Sequence, residues 1–393
     1  MYNKKMYNLG ASRSVIRELF EYGNMLKSQI GEDKVFDFTL GNPSVPTPSD
    51  VNECIKRLVD TDLSIHAYTS APGNLSTRKA IADYLSTTHG VEVDPTLMYM
   101  TTGAAAALTI TLNAIVESPQ DEILAIAPFF PEYRVFSEGA GAKFGYVEMD
   151  EEGYQIDFDK LEAMLTPNTR AVIINSPNNP SGIVYSEDTL IKLSSILTRY
   201  SEQYSHPIIL IADEPYREVI FGDVVVPYPM KYYKDTVVCY SYSKSLCLPG
   251  ERIGYIAVSP SLTEAQSLYL CICGAGRSLG YVCASSLFQK VIESTVGLHS
   301  DNSVYQQNRD ILIRELSSLG LKCANPDGAF YLLVKVPDGD SIEFAGKAKQ
   351  LGLLIVPADS FGAKGYVRIA TCVSTDMVRR SIPYFHQLME MYR

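Results

Sequence analysis

The chain has 393 residues, of which 46% are hydrophobic and 20% charged, so it is long enough for two domains with a large buried core. Its formal net charge of −11 argues against the broad basic surface that binding to nucleic acid requires. No apolar run reaches the roughly 18 residues of a membrane span, and the first residues lack a signal-peptide core, so we expect a cytoplasmic protein without a membrane partner. The 8 cysteines form no C-x-x-C pair, which favours free thiols over disulfides or a metal site.

The first predicted element is a helix over residues 12–30, where apolar residues recur at helical spacing and Ser12 or Ser14 is a plausible cap. An extended run over 35–40 follows, and the proline-rich segment 41–48 then breaks all regular structure. We therefore predict a large domain over residues 46–285. A smaller domain is predicted to combine residues 1–45 with residues 286–393.

Short apolar runs bounded by turn signals alternate with helical patterns through the middle of the chain, as they do in buried parallel sheets. This alternation predicts an α/β fold with a mostly parallel, seven-stranded sheet. The predicted strands cover residues 98–102, 122–127, 143–147, 171–175, 208–212, 237–241 and 253–258. The last third predicts a smaller α+β domain, with a long helix over 286–319, extended segments over 329–336 and 365–373, and a final helix from Ser374 or Thr375.

Polar and small residues collect at the carboxyl ends of these strands, where open α/β sheets bind their ligands. Gly103, Ala104 and Ala105 open a helix whose free amides could face an anion, although close packing is the commoner use of such residues. Asp213 ends an apolar run and is either a helix cap or the partner of a protonated ring nitrogen. Most lysines are inert, but a semi-buried lysine such as Lys244 can attack carbonyl groups.

Three residues around Lys244 could also contribute to an anion site. Ser241 and Ser243 offer hydroxyl donors, and Arg252 offers positive charge, with an exposed surface arginine as the alternative interpretation. A nicotinamide-binding loop is not indicated, because the nearest glycine run, residues 274–280, lacks the G-x-G-x-x-G spacing and comes late in the chain.

Together these motifs resemble the class I aminotransferases, the pyridoxal-phosphate enzymes of fold type I that include aspartate aminotransferase. The resemblance covers nearly the whole chain. The motifs that carry it are Ser241-Tyr242-Ser243-Lys244 followed by Arg252-Ile253-Gly254, Asn179-Pro180-Ser181-Gly182, Asp213-Glu214-Pro215-Tyr216 and Gly328-Ala329-Phe330-Tyr331.

The resemblance implies pyridoxal 5'-phosphate as cofactor and assigns roles by position. It implies that Lys244 holds the cofactor as a Schiff base, that Asp213 pairs with the ring nitrogen, and that Asn179 and Tyr216 bind the ring's 3-oxygen. Lys244, Asp213 and Tyr216 are thus the implied catalytic residues. The implied phosphate ligands are Gly103, Ala104, Ala105, Ser241, Ser243 and Arg252, and the residue implied to stack on the ring is Phe130.

Further implied roles concern the substrate and a second subunit. Arg368 is implied to bind the substrate α-carboxylate, with Asn179 and the backbone at Gly41 nearby, although an outward residue on its strand is an equal alternative. Tyr68 is implied to reach the cofactor phosphate of a neighbouring subunit, which makes a homodimer the expected state.

The implied activity is transfer of an amino group from an L-amino acid to a 2-oxo acid, with aspartate or glutamate as possible substrates. We locate no distal arginine for a second substrate carboxylate, which leaves that specificity open. Two alternatives also remain: a β-lyase or decarboxylase of the same fold, and a non-enzymatic, effector-binding module of aminotransferase-like fold.

Overall fold

The computed structural model describes residues 1–11, 15–150 and 152–392. Its α-helices are α1 (Lys4–Ala11), α2 (Val15–Ile30), α3 (Ser49–Thr61), α4 (Leu75–His89), α5 (Ala104–Ile115), α6 (Glu132–Ala140), α7 (Phe158–Met164), α8 (Glu187–Tyr204), α9 (Tyr242–Ser245), α10 (Ala265–Ser278), α11 (Ser286–Thr295), α12 (Ser303–Ser318), α13 (Ser341–Gln350) and α14 (Thr375–Glu390). Its strands are β1 (Phe36–Asp37), β2 (Met98–Thr101), β3 (Glu122–Ile126), β4 (Lys143–Val147), β5 (Thr169–Asn175), β6 (Ile209–Asp213), β7 (Thr236–Ser241), β8 (Gly254–Val258), β9 (Lys322–Cys323), β10 (Tyr331–Lys335), β11 (Leu353–Leu354), β12 (Val356–Pro357) and β13 (Tyr366–Ala370).

Seven strands form the central sheet in the order β2-β8-β7-β6-β5-β3-β4. The strands from β7 to β4 pair in parallel, whereas β8 runs antiparallel to both of its neighbours. Alternate residues of β6 pack into different hydrophobic cores. Ile209 and Ile211 belong to one core, whereas Leu210 and Ala212 belong to the other. Each face of the sheet is therefore buried under helices. The predicted α/β fold with a mostly parallel seven-stranded sheet is confirmed.

The C-terminal part builds a second, smaller core. A four-stranded antiparallel sheet in the order β12-β13-β10-β9 packs with α12, α13 and α14. The N-terminal strand β1 pairs in parallel with β11, so Phe36 lies opposite Leu353 and joins this core. Helix α11, in contrast, packs on α3 and α4 beside the large sheet. The domain boundaries at residues 45 and 285 stay predictions.

One predicted element is wrong in its extent. The long helix over 286–319 is two helices, because α11 ends at Thr295 and α12 begins only at Ser303. Between them Gly297 has a φ of +85°, where a Cβ would lie 2.8 Å from the Tyr84 ring. The extended run predicted over 35–40 contains the strand Phe36–Asp37, and the Phe38 amide continues its pairing by donating to the Leu354 carbonyl at 2.9 Å.

Other predicted ends of elements agree with the structure or lie beyond it. The final helix α14 begins at Thr375, with the Ser374 side chain as its cap. The predicted caps of the first long helix, Ser12 and Ser14, lie outside the described residues, and α2 is described from Val15. Among the helices of the described ranges, none combines the length and the apolar character needed to cross a membrane.

Candidate active site

A cavity of about 290 Å³ opens beyond the carboxyl ends of β5, β6 and β7. Every predicted site residue except Gly103 and Tyr68 lines it. These residues are Gly41, Ala104, Ala105, Phe130, Asn179, Asp213, Tyr216, Ser241, Ser243, Lys244, Arg252 and Arg368. The lining residues for which we predicted no role are Ile16, Leu108, Asn175, Pro215, Pro249 and Tyr331.

Lys244 reaches the cavity from α9, the single turn that follows β7. Ser241 at the end of β7 caps this turn, since its hydroxyl accepts a hydrogen bond from the Ser243 amide. The Lys244 Nζ donates to the carbonyl oxygen of Gly41 at 2.7 Å. Burial lowers the pKa of Lys244 to about 8, so roughly a tenth of this amine is unprotonated at pH 7, far more than for an ordinary lysine. Such a lysine is suited to forming an imine.

Asp213 is the last residue of β6, and its two carboxyl oxygens have different surroundings. Oδ2 accepts a hydrogen bond from the Tyr133 hydroxyl at 2.5 Å. Oδ1 is buried and has no hydrogen-bond partner among the described residues. Burial, opposed by the Tyr133 hydrogen bond, raises the pKa of Asp213 to about 7. A cationic N–H group in the cavity would satisfy Oδ1 and keep the carboxylate ionised.

Tyr133 is a site residue that sequence reasoning missed. It lies in the first turn of α6, three residues after Phe130, and its ring meets that of Phe130 edge-on at a centroid distance of 5.8 Å. The residue is fully buried, and burial raises its pKa well above its ordinary value, so it stays a proton donor to Asp213. The sequence signal that could have indicated Tyr133 is its position three residues after Phe130, the aromatic residue predicted to stack on the ring.

Asn179 and Tyr216 are held by neighbours on the same edge of the sheet. The Asn175 side chain accepts from the Asn179 amide at 2.7 Å and donates to the Asp213 carbonyl at 2.8 Å, which ties the ends of β5 and β6 together. The Tyr216 hydroxyl lies 3.1 Å from the Tyr331 hydroxyl. Tyr331 entered the sequence analysis only as part of a motif, because nothing local showed what its side chain would contact.

One end of the cavity is built for an anion. Gly103 has a φ of +91° at the start of α5, and a Cβ there would lie 2.7 Å from the Arg252 Nη2. Although Gly103 is not part of the lining, it thus gives Arg252 its space. The Arg252 Nη1 lies 3.4 Å from the Ser243 hydroxyl, which in turn lies 2.7 Å from the Ser241 hydroxyl. A helix start, a guanidinium and two hydroxyls make a site for a phosphate group.

Arg368 lies at the other end, on β13, and it is 2% exposed. It therefore points into the molecule, which rules out the outward alternative. Its Nη1 donates to the Asn179 Oδ1 at 3.2 Å and its Nη2 to the Thr39 carbonyl at 2.5 Å, while its Nε is buried without a partner among the described residues. The guanidinium lies over the rings of Tyr331 and Phe361, at 4.5 and 5.1 Å from their centroids.

Two sequence features lie away from this cavity. Tyr68 is 94% exposed on the surface of the chain, so its contact with a neighbouring subunit stays a prediction. The glycine run 274–280 does not open a helix after a strand, because Gly274 and Gly276 lie inside α10. It therefore cannot form the phosphate loop of a nicotinamide-binding domain.

The described residues fit pyridoxal 5'-phosphate on the chemistry of the donor set. A buried amine matches its aldehyde, an unpartnered carboxylate oxygen matches its protonated ring nitrogen, and the anion end matches its phosphate. The arrangement on this sheet is that of a pyridoxal-phosphate enzyme of fold type I.

Comparison with known proteins agrees. The family model "Aminotransferase class I and II" matches residues 33–383. A probable aspartate aminotransferase of Methanocaldococcus jannaschii is 27% identical, with 96% of this chain and 97% of the relative covered. The aspartate/prephenate aminotransferase of Thermus thermophilus is 27% identical over 89% of this chain and 90% of its own length. The crystal structure of an aminotransferase from Eubacterium rectale is 51% identical and superposes with a TM-score of 0.98, covering 100% of this chain and 99% of that one.

The chain belongs to the class I and II aminotransferases. It is accordingly an enzyme, a pyridoxal-phosphate-dependent transaminase.

Proposed function

We propose that the enzyme moves the amino group of an L-amino acid to a 2-oxo acid, with Lys244 as the residue that binds the cofactor and moves the substrate's Cα proton. The observation that carries the proposal is the placement of the Lys244 amine in one cavity with the unpartnered oxygen of Asp213. The cofactor, when bound, supplies an electron sink for the charge left at Cα. A proton moved by a positioned amine of suitable pKa typically contributes about 10²–10⁴-fold to the rate.

The other residues of the cavity are proposed to orient the cofactor and hold it in place. Asp213, kept in place by Tyr133, pairs with the ring nitrogen, while Tyr216 and Asn179 donate to the ring's 3-oxygen. The cofactor's phosphate would be held by Arg252, Ser241 and Ser243, together with the free amides at the start of α5, from Gly103 through Ala104 and Ala105. Phe130 is proposed to stack on the ring.

Arg368 is proposed to select the reaction. A guanidinium that lies over two aromatic rings would hold the substrate α-carboxylate in one orientation through paired hydrogen bonds. With the carboxylate held there, the Cα–H bond would be the one presented to the Lys244 amine, which favours transfer over decarboxylation. The β-lyase and decarboxylase alternatives are tested by measuring pyruvate, ammonia and carbon dioxide release without any oxo acid.

For the substrate, we propose aspartate or glutamate as the first donors to test, since relatives carry aspartate in their names. The lining contains three cationic side chains, Lys244, Arg252 and Arg368, and each already has a proposed partner. A second substrate carboxylate therefore needs a cation from outside this lining. We propose that the protein is a homodimer in which Tyr68 reaches the site of the neighbouring subunit. The cation for a second substrate carboxylate would then come from that neighbouring subunit.

We also propose a cytoplasmic location, because all of the cysteines are free thiols, which suits a reducing compartment.

The proposed homodimer is tested by light scattering during gel filtration, which measures the number of subunits. A Tyr68→Phe variant should bind the cofactor less tightly without falling apart into monomers, and unchanged cofactor affinity would remove Tyr68 from the site.

The central experiment traps the cofactor on the protein. Borohydride reduction followed by peptide mapping should place the label on Lys244, and a screen of amino donors against oxo acids should show reciprocal transfer. Label on another lysine would overturn the residue assignment. Label on Lys244 without oxo-acid-dependent transfer would instead overturn the reaction.

A further inference from the structure

Tyr331 lines the cavity beside Arg368 and Tyr216. The residue is buried, with 4% of its surface exposed. The Arg368 Cζ lies 4.5 Å from the centroid of its ring, and its hydroxyl lies 3.1 Å from the hydroxyl of Tyr216. One side chain thus contacts both the cation proposed for the substrate carboxylate and the phenol proposed for the cofactor's ring oxygen.

The backbone on either side fixes where Tyr331 lies. It begins β10 opposite Ala370, on the same strand pair that sets Leu333 opposite Arg368. A Cβ on Gly41 would lie 1.7 Å from the Tyr331 hydroxyl oxygen, so only glycine leaves room for that hydroxyl. Tyr331 therefore has little freedom to turn towards another partner.

The direction of the hydrogen bond between the two tyrosines follows from their surroundings. When Tyr216 donates its proton to an anionic ring oxygen, its own oxygen is left as an acceptor, and Tyr331 must be the donor. Burial raises the pKa of Tyr331, so it keeps that proton. A donor to Tyr216 polarises the Tyr216 O–H bond and so strengthens the hydrogen bond that Tyr216 donates, because hydrogen bonds in a buried chain reinforce each other.

We propose that Tyr331 is a positioning residue that couples the substrate carboxylate at Arg368 to the cofactor's ring oxygen at Tyr216. The inference rests on the proposed function of those two residues. The Tyr331 ring keeps the guanidinium in plane for paired hydrogen bonds, and its hydroxyl sets how strongly Tyr216 donates.

Two variants of the holoenzyme separate the hydroxyl from the ring. Tyr331→Phe keeps the ring, so it should move the absorbance transition of the bound cofactor to higher pH by about 0.5–1 unit, the worth of one hydrogen bond, with the KM for the amino acid little changed. Tyr331→Leu removes both groups. It should give the same spectral shift and also raise the KM for the amino acid by about fivefold to thirtyfold.

Phe361→Leu is the matched control. It removes the other ring over Arg368, at 5.1 Å, but no hydrogen bond to Tyr216. It should raise the KM and leave the absorbance transition in place. In a Tyr216→Phe background, adding Tyr331→Phe should produce no further shift, because the hydroxyl acts through Tyr216.

The proposal is overturned if Tyr331→Phe leaves the transition of an active enzyme where it was, or if its shift adds fully to that of Tyr216→Phe. Failure of the proposed function looks different. The unsubstituted protein would then show no cofactor label on Lys244 or no amino transfer at all.

Discussion

Asp213→Asn should stabilise the cofactor-free protein while disabling the enzyme. Burial, opposed by the Tyr133 hydrogen bond and supported by the charge of Glu214, raises the pKa of Asp213 from its ordinary 3.8 to about 7. Across that window the folded protein keeps a proton that the unfolded chain has released, so its stability falls as the pH rises. At pH 8 the raised pKa lowers the free energy of unfolding by about 4 kcal/mol. At pH 5 this loss of stability is smaller by about 3 kcal/mol.

Asparagine has the same shape and no charge, and its side-chain oxygen can still accept from Tyr133. The variant's advantage in unfolding free energy should therefore grow by about 3 kcal/mol between pH 5 and pH 8 in the absence of cofactor. With the cofactor bound, the advantage should disappear, because its cationic ring nitrogen stabilises the carboxylate. Urea unfolding followed by circular dichroism and tyrosine fluorescence measures both effects, and the chain, with 26 tyrosines and 0 tryptophans, gives an undisturbed tyrosine signal.

Asp121→Asn is the control that shows the effect of removing the charge of a buried aspartate whose pKa is not raised. Against the effect of burial, hydrogen bonds from Arg170 and from two backbone amides hold the pKa of Asp121 below its ordinary value. Removing its charge should therefore cost stability equally at pH 5 and pH 8. A constant difference between Asp213→Asn and the unsubstituted protein over the same pH range would refute the reasoning about Asp213.

Three further predictions concern the two ends of the cavity and its amine. Gly103→Ala should cost about 1–3 kcal/mol of stability and weaken cofactor binding by displacing Arg252, as unfolding curves and cofactor titration will report, whereas Gly139→Ala, which meets no atom within 4 Å, should do neither. Arg368→Lys keeps the charge but loses the paired geometry, so steady-state kinetics should show the KM for amino acids rising about tenfold to a hundredfold, with simple amines unaffected. In the cofactor-free protein, the rate at which an amine reagent labels Lys244 should rise through about pH 8, since burial lowers its pKa to that value, and a rise only near pH 10 would contradict this.

The sequence by itself determined the fold and most of the chemistry. Apolar runs of strand length, broken by turn residues, gave all seven strands of the main sheet, because burial on both faces leaves a pattern that needs no tertiary information. The polar residues that follow those strands necessarily meet at one edge. Lys244, Asp213 and Asn179 were found in this way, and the resemblance supplied their proposed roles.

Only the tertiary structure decided which side chains support these residues. Tyr133 reaches Asp213 across 80 positions of the chain, and Tyr331 reaches Tyr216 across 115. Arg368 had an inward and an outward interpretation, and the packing of its strand chose the inward one. The break near Gly297 likewise depends on a distant ring. Such contacts arise from strand order and helix packing, and a pattern of neighbouring residues carries no record of them.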